Sequence, residues 1–340
     1  MKESSRIYVA GGDTLIGAAV RERLRVAGLR NLIGEPPSEP DLACPWQVED
    51  FFAAERPEYV FLVAGASGGI RANQAFPAQL MRDNLLATVH VIHAAHRYEV
   101  SKLLYLASSC SYPRLTPQPM RVELLMTGPL EPTNEAYAMA KLTGLVLCQA
   151  YRRQYGAPFI TAIPANAFGP HDDFSAEDSH VIPALLRKLH DARCRDESEV
   201  RIWGSGRPRR EFIYSYDLAD ACLFVMRNYD SDEPINLGGG QELSIAETAR
   251  AIAAVVGYRG QLSFDTSRPD GMPLKSLDAE PLRKMGWTPP TPFHTALADT
   301  YDWFLRSIHV GQAFQPDLSD RQAGKPDLRF QENRDVRKAV

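Results

Sequence analysis

Two stretches of the sequence carry side chains that can move protons. Residues 103–113 (LLYLASSCSYP) form an apolar, strand-like run that ends in small hydroxyls and a thiol, among them Ser108 and Cys110. Tyr137 and Lys141 are four residues apart and therefore share one face of a predicted helix. A hydroxyl, a phenol and an amine gathered at the carboxyl end of a strand can deliver a proton to a carbonyl oxygen. The thiol is not needed for that step and indicates a second one.

The first step would be reduction of a carbonyl by a nicotinamide, with Tyr137 as the acid. The pKa of a free tyrosine is about 10, which is too high for easy proton transfer at neutral pH. Lys141, one helical turn later, would lower the pKa of Tyr137 and hold the nicotinamide ribose, while Ser108 would hold the carbonyl from the other side. A tyrosine and a lysine at this spacing occur by chance in many helices. Here they follow a glycine turn and a hydroxyl-rich strand end.

That glycine turn lies near the start of the chain. Residues 6–10 have the pattern of a buried strand, Gly11 to Gly17 follow at once, and residues 18–27 have apolar side chains at helical spacing. A strand, a glycine turn and a helix open a dinucleotide-binding fold, because the glycines let the helix N-terminus approach a pyrophosphate. The sequence therefore predicts a cofactor site at Gly11 and Gly17.

Strand and helix patterns alternate along most of the chain, which predicts an α/β fold with a Rossmann-like, doubly wound parallel sheet. We expect a dinucleotide-binding domain in residues 1–170, to which residues 213–245 return. A smaller C-terminal α+β substrate domain would occupy residues 171–310. Residues 311–340 are polar and aperiodic, so we expect a disordered or loosely attached tail.

Composition excludes several classes of function. A formal net charge of −4 in 340 residues gives no reason to expect nucleic-acid or membrane binding. No apolar run approaches the roughly 20 residues of a membrane helix, and five dispersed cysteines favour a reducing, cytoplasmic location. His90, His93 and His96 are spaced along one helix, but no acidic or cysteine partner accompanies them, so we expect no metal site.

Seven stretches, in order and at matching spacing, resemble the GDP-L-fucose synthase family of extended short-chain reductases. They are SSCSYP, EPTNEAYAMAKLTG, GPHDDF, SHVIPALLRKLHDA, WGSGRPRREFIYSYDLA, NLGGG and DGMPLKSLD. The resemblance covers roughly residues 6–307. It implies a homodimeric, NADPH-dependent enzyme that acts as 3,5-epimerase and 4-reductase on GDP-4-keto-6-deoxy-D-mannose.

The resemblance also implies roles for particular residues. Ser108, Tyr137 and Lys141 would serve the reduction, and Cys110 and His180 would be the base and acid of epimerisation. Cysteine and histidine suit that task because both have pKa values near neutrality. The implied cofactor contacts are Gly11, Thr14, Gly17, Tyr137, Lys141, Pro164, Asn166, Ala167 and His180.

The GDP moiety requires cations and an aromatic face. Arg187 and Arg210 are candidates to pair with the pyrophosphate, for which guanidinium groups are well shaped. Trp203 offers a surface for the guanine, and Lys275 could reach ribose or phosphate.

The sequence departs from the family pattern at the cofactor. Family members have a third glycine in the turn, where this chain has Thr14, whose side chain we expect to crowd the pyrophosphate. Arginines that hold the 2′-phosphate of NADPH are also missing, since no Lys or Arg lies between Arg30 and Arg56. Glu35, Glu39 or Asp41 could instead bind a ribose diol, so NADH stays open beside NADPH.

Two further readings stay open. One is a 4-epimerase or 4,6-dehydratase of another sugar nucleotide, or a related NAD-dependent epimerase/reductase acting on another 4-keto-6-deoxy sugar. The sequence also leaves open whether the sugar is a hexose or a related 6-deoxy heptose. Dehydratases of this superfamily carry an Asp-Glu pair where this chain has Ser109 and Cys110, which counts against them. The other is a non-catalytic sugar-nucleotide binder with a degenerate cofactor site, and the intact set of five catalytic residues argues against it.

Overall fold

A computed structural model describes residues 1–175, 179–267, 270 and 272–313, without the side chains of Ile70 and of residues 309–313. Residues 1–304 form one compact unit, and the chain from Leu305 onward is a separate one. Most of the predicted tail, residues 314–340, lies outside the described residues.

Twelve strands are present in the described part of the chain. They are β1 (Ile7–Ala10), β2 (Leu32–Ile33), β3 (Tyr59–Leu62), β4 (Lys102–Leu106), β5 (Phe159–Pro164), β6 (Asn166–Phe168), β7 (Glu199–Trp203), β8 (Arg209–Tyr214), β9 (Ile235–Leu237), β10 (Gln241–Ser244), β11 (Gln261–Asp265) and β12 (Leu274–Lys275).

Ten α-helices accompany these strands within the same described ranges. They are α1 (Leu15–Val26), α2 (Pro45–Glu55), α3 (Ile70–Ala75), α4 (Pro77–Arg97), α5 (Glu135–Tyr155), α6 (Val181–Cys194), α7 (Ser215–Asn228), α8 (Ile245–Val256), α9 (Glu280–Lys284) and α10 (Phe293–Ala313). Among them, no helix is both long and apolar enough to cross a membrane.

The main sheet is parallel and has the strand order β2-β1-β3-β4-β5-β9. The strands at its centre are nearly continuous apolar runs and are buried, as expected for a parallel sheet covered on both faces. From β1 the chain moves to β2 on one side and then to β3 on the other. Ligands bind at such a reversal, beyond the carboxyl ends of the strands. The predicted doubly wound fold is confirmed.

A second sheet is mixed. Strand β8 is its centre, with β10 antiparallel on one side and β12 and β6 parallel to it. A separate pair, β7 and β11, is parallel. In the register of the second sheet Lys275 stands opposite Arg210, so two of the predicted substrate-binding residues are neighbours.

Candidate active site

Ser108 and Cys110 lie on one tight turn where β4 ends. Ser108 has extended backbone angles, and the chain then turns into a single 3₁₀ turn over Ser109–Ser111. The Ser108 hydroxyl oxygen caps this turn by accepting the backbone N–H of Cys110 at 3.2 Å. The hydroxyl and the thiol are thereby held side by side at the carboxyl end of the main sheet.

The Cys110 sulfur accepts hydrogen bonds from one amide nitrogen and one ammonium nitrogen. Asn134 Nδ2 lies 3.2 Å from it and Lys275 Nζ lies 3.3 Å from it. Burial alone would raise the pKa of the Cys110 thiol. The Lys275 charge and the hydrogen bonds to the sulfur outweigh burial, so the pKa is lowered. The thiol is therefore prepared to act as a base.

Tyr137 lies in the first turn of α5 and contacts the same Ser108 hydroxyl. Burial raises the pKa of Tyr137, the nearby Cys110 raises it further, and the hydrogen bond with Ser108 lowers it. The pKa of Tyr137 is raised on balance, which is opposite to the lowering by Lys141 that we expected. The Lys141 amine instead bonds backbone carbonyls.

Lys141 is buried, 4% exposed, and its amine bonds backbone carbonyls of the main sheet. Nζ donates to Ala64 O, two residues past the end of β3, at 3.1 Å and to Leu106 O, in the last residue of β4, at 3.3 Å. Burial lowers the pKa of Lys141 to about 8. A Cβ at Gly65 would lie 2.8 Å from this amine, so glycine keeps the space beside it open.

His180 is the N-cap residue of α6, and its side chain makes no capping hydrogen bond. The residue as a whole is exposed. Partial desolvation and the Lys275 charge lower the pKa of His180, while the Asp173 charge raises it. His180 is therefore within electrostatic reach of Lys275, the same lysine that contacts the Cys110 sulfur.

The glycine turn after β1 is packed too tightly for side chains. A Cβ at Gly17 would lie 1.9 Å from Gly11 O, and one at Gly11 would lie 2.5 Å from Ala64 Cα. Thr14 Oγ1 donates to Gly11 O at 2.8 Å and accepts the N–H of Gly17 at 3.1 Å. Thr14 thus caps α1, and its hydroxyl turns back into the loop.

The acidic loop after β2 folds against this turn. Glu39 accepts the N–H of Gly11 at 2.6 Å and the Tyr8 hydroxyl at 3.1 Å. Glu35 forms an ion pair with Arg21 at 2.7 Å and another with Arg25. Two guanidinium groups therefore reach the loop from α1, although the loop itself contains none.

Comparison with known proteins gives this geometry a family. Residues 7–238 match the model of the NAD dependent epimerase/dehydratase family. The chain belongs to that family. GDP-L-fucose synthase 1 of Arabidopsis thaliana is 45% identical over 90% of this chain and 95% of its own length. The predicted resemblance to GDP-L-fucose synthases is confirmed.

Two solved structures are similar over almost their full length. A GDP-6-OMe-4-keto-L-xylo-heptose reductase from Campylobacter jejuni has a TM-score of 0.84 and 33% identity, covering 90% of this chain and 99% of that one. A GDP-L-fucose synthetase from Naegleria fowleri bound to NADP has a TM-score of 0.83 and 30% identity, covering 91% and 96%. Together with the family match, the glycine cradle fits a nicotinamide cofactor.

Three further residues implied as cofactor contacts lie where β5 passes into β6. Pro164 is the last residue of β5, and Asn166 and Ala167 begin β6. Asn166 Nδ2 donates to Glu211 O at 2.9 Å, which ties this segment to the second sheet. These residues lie at the carboxyl end of the main sheet, as Ser108 does.

Of the four predicted nucleotide contacts, Arg210 and Lys275 lie near the Cys110 thiol. Arg210 lies within electrostatic reach of Cys110 and donates to Met272 O at 2.6 Å. Arg187 lies on α6, two turns beyond His180, and pairs with Asp191 at 3.6 Å. Trp203 ends β7 and is 69% exposed.

The sequence analysis missed two residues of the site. Asn134 was within a recognised motif but was not assigned a contact with the thiol, and Asp173, beside His180, was likewise unassigned. An asparagine just before a predicted helix is ordinarily read as a cap. Here the Asn134 side chain makes no capping bond and donates to the Cys110 sulfur instead. Only the three-dimensional structure shows this contact.

Proposed function

We propose that this protein epimerises C3 and C5 of GDP-4-keto-6-deoxy-D-mannose and reduces C4 with NAD(P)H, giving GDP-L-fucose. One observation carries the proposal: the Ser108 hydroxyl contacts both the Cys110 thiol and the Tyr137 phenol. Cys110, the base for the C–H bonds, and Tyr137, the acid for the adjoining ketone oxygen, therefore share the Ser108 hydroxyl as a neighbour. The 45% identity to a plant GDP-L-fucose synthase supports the same assignment.

Epimerisation would begin at the Cys110 thiolate. It takes the proton from C3 or C5, which is acidic because the C4 ketone accepts the electron pair as an enolate. The enolate oxygen is stabilised by hydrogen bonds from Tyr137 and Ser108. A protonated His180 then returns a proton to the opposite face of the carbon. Cys110 is left as a thiol and His180 as a neutral imidazole, and both recover their starting states by exchange with solvent.

Reduction would follow at the same ketone. The nicotinamide cofactor supplies a hydride to C4 when it is bound. Tyr137 donates its phenolic proton to the C4 oxygen, Ser108 holds that oxygen, and Lys141 adjoins the cofactor space left open by Gly65. Because Cys110 and Tyr137 serve one ketone, the intermediate need not leave the site between the two reactions.

The second sheet and α6 would bind the GDP moiety. Arg187 and Arg210 are the proposed pyrophosphate ligands, since guanidinium groups bind phosphate oxygens in pairs. The exposed face of Trp203 is proposed to stack on the guanine. Lys275 would lie between the nucleotide and the thiol.

We propose NADPH as the preferred cofactor. Arg21 and Arg25 reach the loop after β2 and could turn from Glu35 to a 2′-phosphate. The NADP bound in the Naegleria fowleri relative supports this choice. Fluorescence titration with NADPH and NADH tests it, and tighter binding of NADH would reverse the assignment.

We further propose a cytoplasmic homodimer. Helices α4 and α5 pack together and leave Val89 (42%) and Met139 (40%) exposed on their outer faces. A Val89→Glu variant should shift the mass measured by light scattering from dimer to monomer. A wild-type protein of monomeric mass would remove the homodimer from the proposal.

The test of the main proposal is incubation with GDP-4-keto-6-deoxy-D-mannose and each cofactor in D₂O. We expect deuterium at C3 and C5 and a GDP-L-fucose product by NMR. If the enzyme binds NADPH but neither exchanges deuterium nor consumes the ketone, the proposal fails.

A second candidate is a reductase of a 4-keto heptose nucleotide. The heptose reductase from Campylobacter jejuni, with its TM-score of 0.84, is as similar in structure as the GDP-L-fucose synthetase is. The two substrates differ beyond C5, so parallel assays with a GDP-4-keto-heptose and the 6-deoxyhexose decide between them by kcat/KM.

A further inference from the structure

The Cys110 sulfur is surrounded by donors. Lys275 Nζ and Asn134 Nδ2 donate to it at 3.3 and 3.2 Å, and the Ser108 hydroxyl bonds it as well. A neutral thiol is a weak acceptor, whereas a thiolate accepts several strong hydrogen bonds. Three donors around one sulfur therefore fit an anion.

The ionisable groups that face Cys110 come from three elements. Lys275 on β12 is in direct contact, Arg210 on β8 acts through its charge, and Tyr137 on α5 adjoins Ser108. The Arg210 guanidinium donates to the carbonyls of Arg209 and Met272, at 2.7 and 2.6 Å. Lys275 is consequently the cation that touches the sulfur.

Backbone and side-chain bonds on both sides hold Lys275 in this place. Its own strand pairs with β8, where it stands opposite Arg210. The next residue, Ser276, donates its N–H to Gln118 Oε1 at 2.9 Å and accepts the N–H of Met120 at 2.8 Å. Leu277 donates its N–H to the buried Glu211 carboxylate at 2.7 Å. The segment after β4 that bears Cys110 is thus bound to the strand that bears Lys275.

His180 is a poor partner for a thiolate in the free protein. Desolvation and the Lys275 charge both disfavour its protonation. A protonated His180 and the Lys275 ammonium would repel each other, so the protonated form of His180 is disfavoured until an anion binds nearby.

We propose that Lys275, and not His180, is the counter-ion that keeps Cys110 as a thiolate in the free enzyme. Lys275 is then a positioning residue for the base, and the base is ready before substrate enters. This rests on the proposed role of Cys110 in epimerisation. It differs from the expected role of Lys275 in binding ribose or phosphate, which would affect substrate affinity and leave the thiol unchanged.

The experiment measures alkylation of Cys110 by iodoacetamide as a function of pH in the substrate-free protein. Only the thiolate reacts, so the midpoint of the rate profile reports the thiol pKa. The modified peptide is quantified by mass spectrometry. Lys275→Met should move the midpoint upward by about 1 to 2 units, which slows labelling near neutral pH by roughly 10- to 100-fold. Lys275→Arg should keep most of the low midpoint because it keeps the charge.

Two variants make the result specific. His180→Gln should leave the midpoint where it is or lower it, whereas a thiolate–imidazolium pair requires it to rise. Lys284→Met removes the same charge at a 75% exposed lysine and should change nothing. The profile of the exposed Cys194 in each variant, with the melting temperature, reports whether the fold is intact.

The proposal is overturned if folded Lys275→Met labels with the wild-type midpoint, or if His180→Gln produces the rise instead. A second measurement follows the His180 ring by NMR, whose pKa should rise in Lys275→Met as the repulsion is removed. Because no substrate is present, a failed assay for sugar turnover would leave these results standing.

Discussion

The Tyr137 phenol and the Cys110 thiol interact through Ser108 and through charge. The Ser108 hydroxyl bonds both groups, and Cys110 raises the pKa of Tyr137. A hydroxyl has a single hydrogen, so it can stabilise a thiolate or a phenolate at one moment but not both. An ionised Cys110 therefore keeps Tyr137 protonated. The base of the first reaction maintains the acid of the second.

Replacing Cys110 by serine should separate the two reactions. A serine hydroxyl is far too weak an acid to provide the base, so deuterium uptake from D₂O at C3 and C5 should fall by about 10²- to 10⁴-fold. Reduction of a ketone that is already epimerised should remain measurable. NMR of the sugar protons follows both. Uptake at the wild-type rate would exclude Cys110 as the base.

Replacing Tyr137 by phenylalanine should have the opposite effect. It removes the proton for the C4 oxygen and leaves the thiol and its donors in place, so NADPH oxidation should slow by about 10²- to 10⁴-fold. Deuterium uptake should persist, reduced by the loss of one hydrogen bond to the enolate. Ser108→Ala is the informative comparison, because it should weaken both reactions. Equal loss of both in Tyr137→Phe would contradict the division of roles.

The main sheet and the helices that carry the site could be predicted because their patterns are local. The strand before Ser108 is an apolar run, and the helix of Tyr137 has apolar residues at helical spacing. Helix α1 begins at Leu15 and not at the predicted Ala18. The helix begins inside the glycine turn, with Thr14 as its N-cap, and the apolar spacing that predicts a helix starts only after that turn.

Contacts between distant segments could not be predicted in the same way. Lys275 and Cys110 are 165 residues apart, and their contact depends on the pairing of β12 with β8. No period or spacing encodes that pairing. The cations of the loop after β2 were missed for a similar reason, since Arg21 and Arg25 belong to a preceding helix.

The glycine turn gives a test of cofactor binding that does not involve the catalytic groups. In Gly17→Ala the new Cβ would lie 1.9 Å from Gly11 O, so the turn must open. We expect a loss of about 1–3 kcal/mol in stability and at least tenfold weaker NADPH binding. Gly128→Ala is the control, because its nearest neighbour would be Pro113 Cβ at an ordinary 3.4 Å. Unaltered NADPH affinity in Gly17→Ala would place the cofactor elsewhere.

Lys141 should lower stability in the free protein while serving the reaction. Its pKa is about 8 in the fold because of burial alone. The unfolded chain, with a lysine pKa of about 10.4, binds the proton more tightly. Wild-type stability therefore rises with pH between these two pKa values, from about 8 to about 10.4. Lys141→Met should therefore stabilise the protein by roughly 1–3 kcal/mol at pH 7, less the lost bonds to two carbonyls.

Urea unfolding of Lys141→Met and wild type at pH 7 and pH 10 measures this effect. The advantage of the variant should shrink at pH 10, while its reductase activity is lost at both. Lys102→Met is a suitable comparison, since that lysine is only partly buried and bonds Tyr229 O. An advantage that is independent of pH would mean that packing, and not the buried charge, is responsible.

The contribution of Asp172 to stability should fall as the pH rises, which is opposite to the trend expected for Lys141. The residue is 8% exposed, its Oδ1 accepts the N–H of Asp173 at 2.9 Å, and its Oδ2 has no partner among the described residues. Burial raises the pKa of Asp172 to about 7. The native state then holds a proton that the unfolded chain releases near pH 4, so stability is lost as pH rises toward 7.

An Asp172→Asn variant stays neutral and should escape that loss. Its stability relative to wild type should increase by roughly 2–3 kcal/mol between pH 5 and pH 8, as measured by urea unfolding. Asp232→Asn, at an exposed position, should show no such trend. A constant difference between Asp172→Asn and wild type would show that Asp172 is already ionised in the fold at pH 5. Asp172 precedes Asp173, whose charge acts on His180, so the same variant also reports whether the buried carboxyl affects epimerisation. Deuterium uptake should be retained if Asp172 only supports the fold.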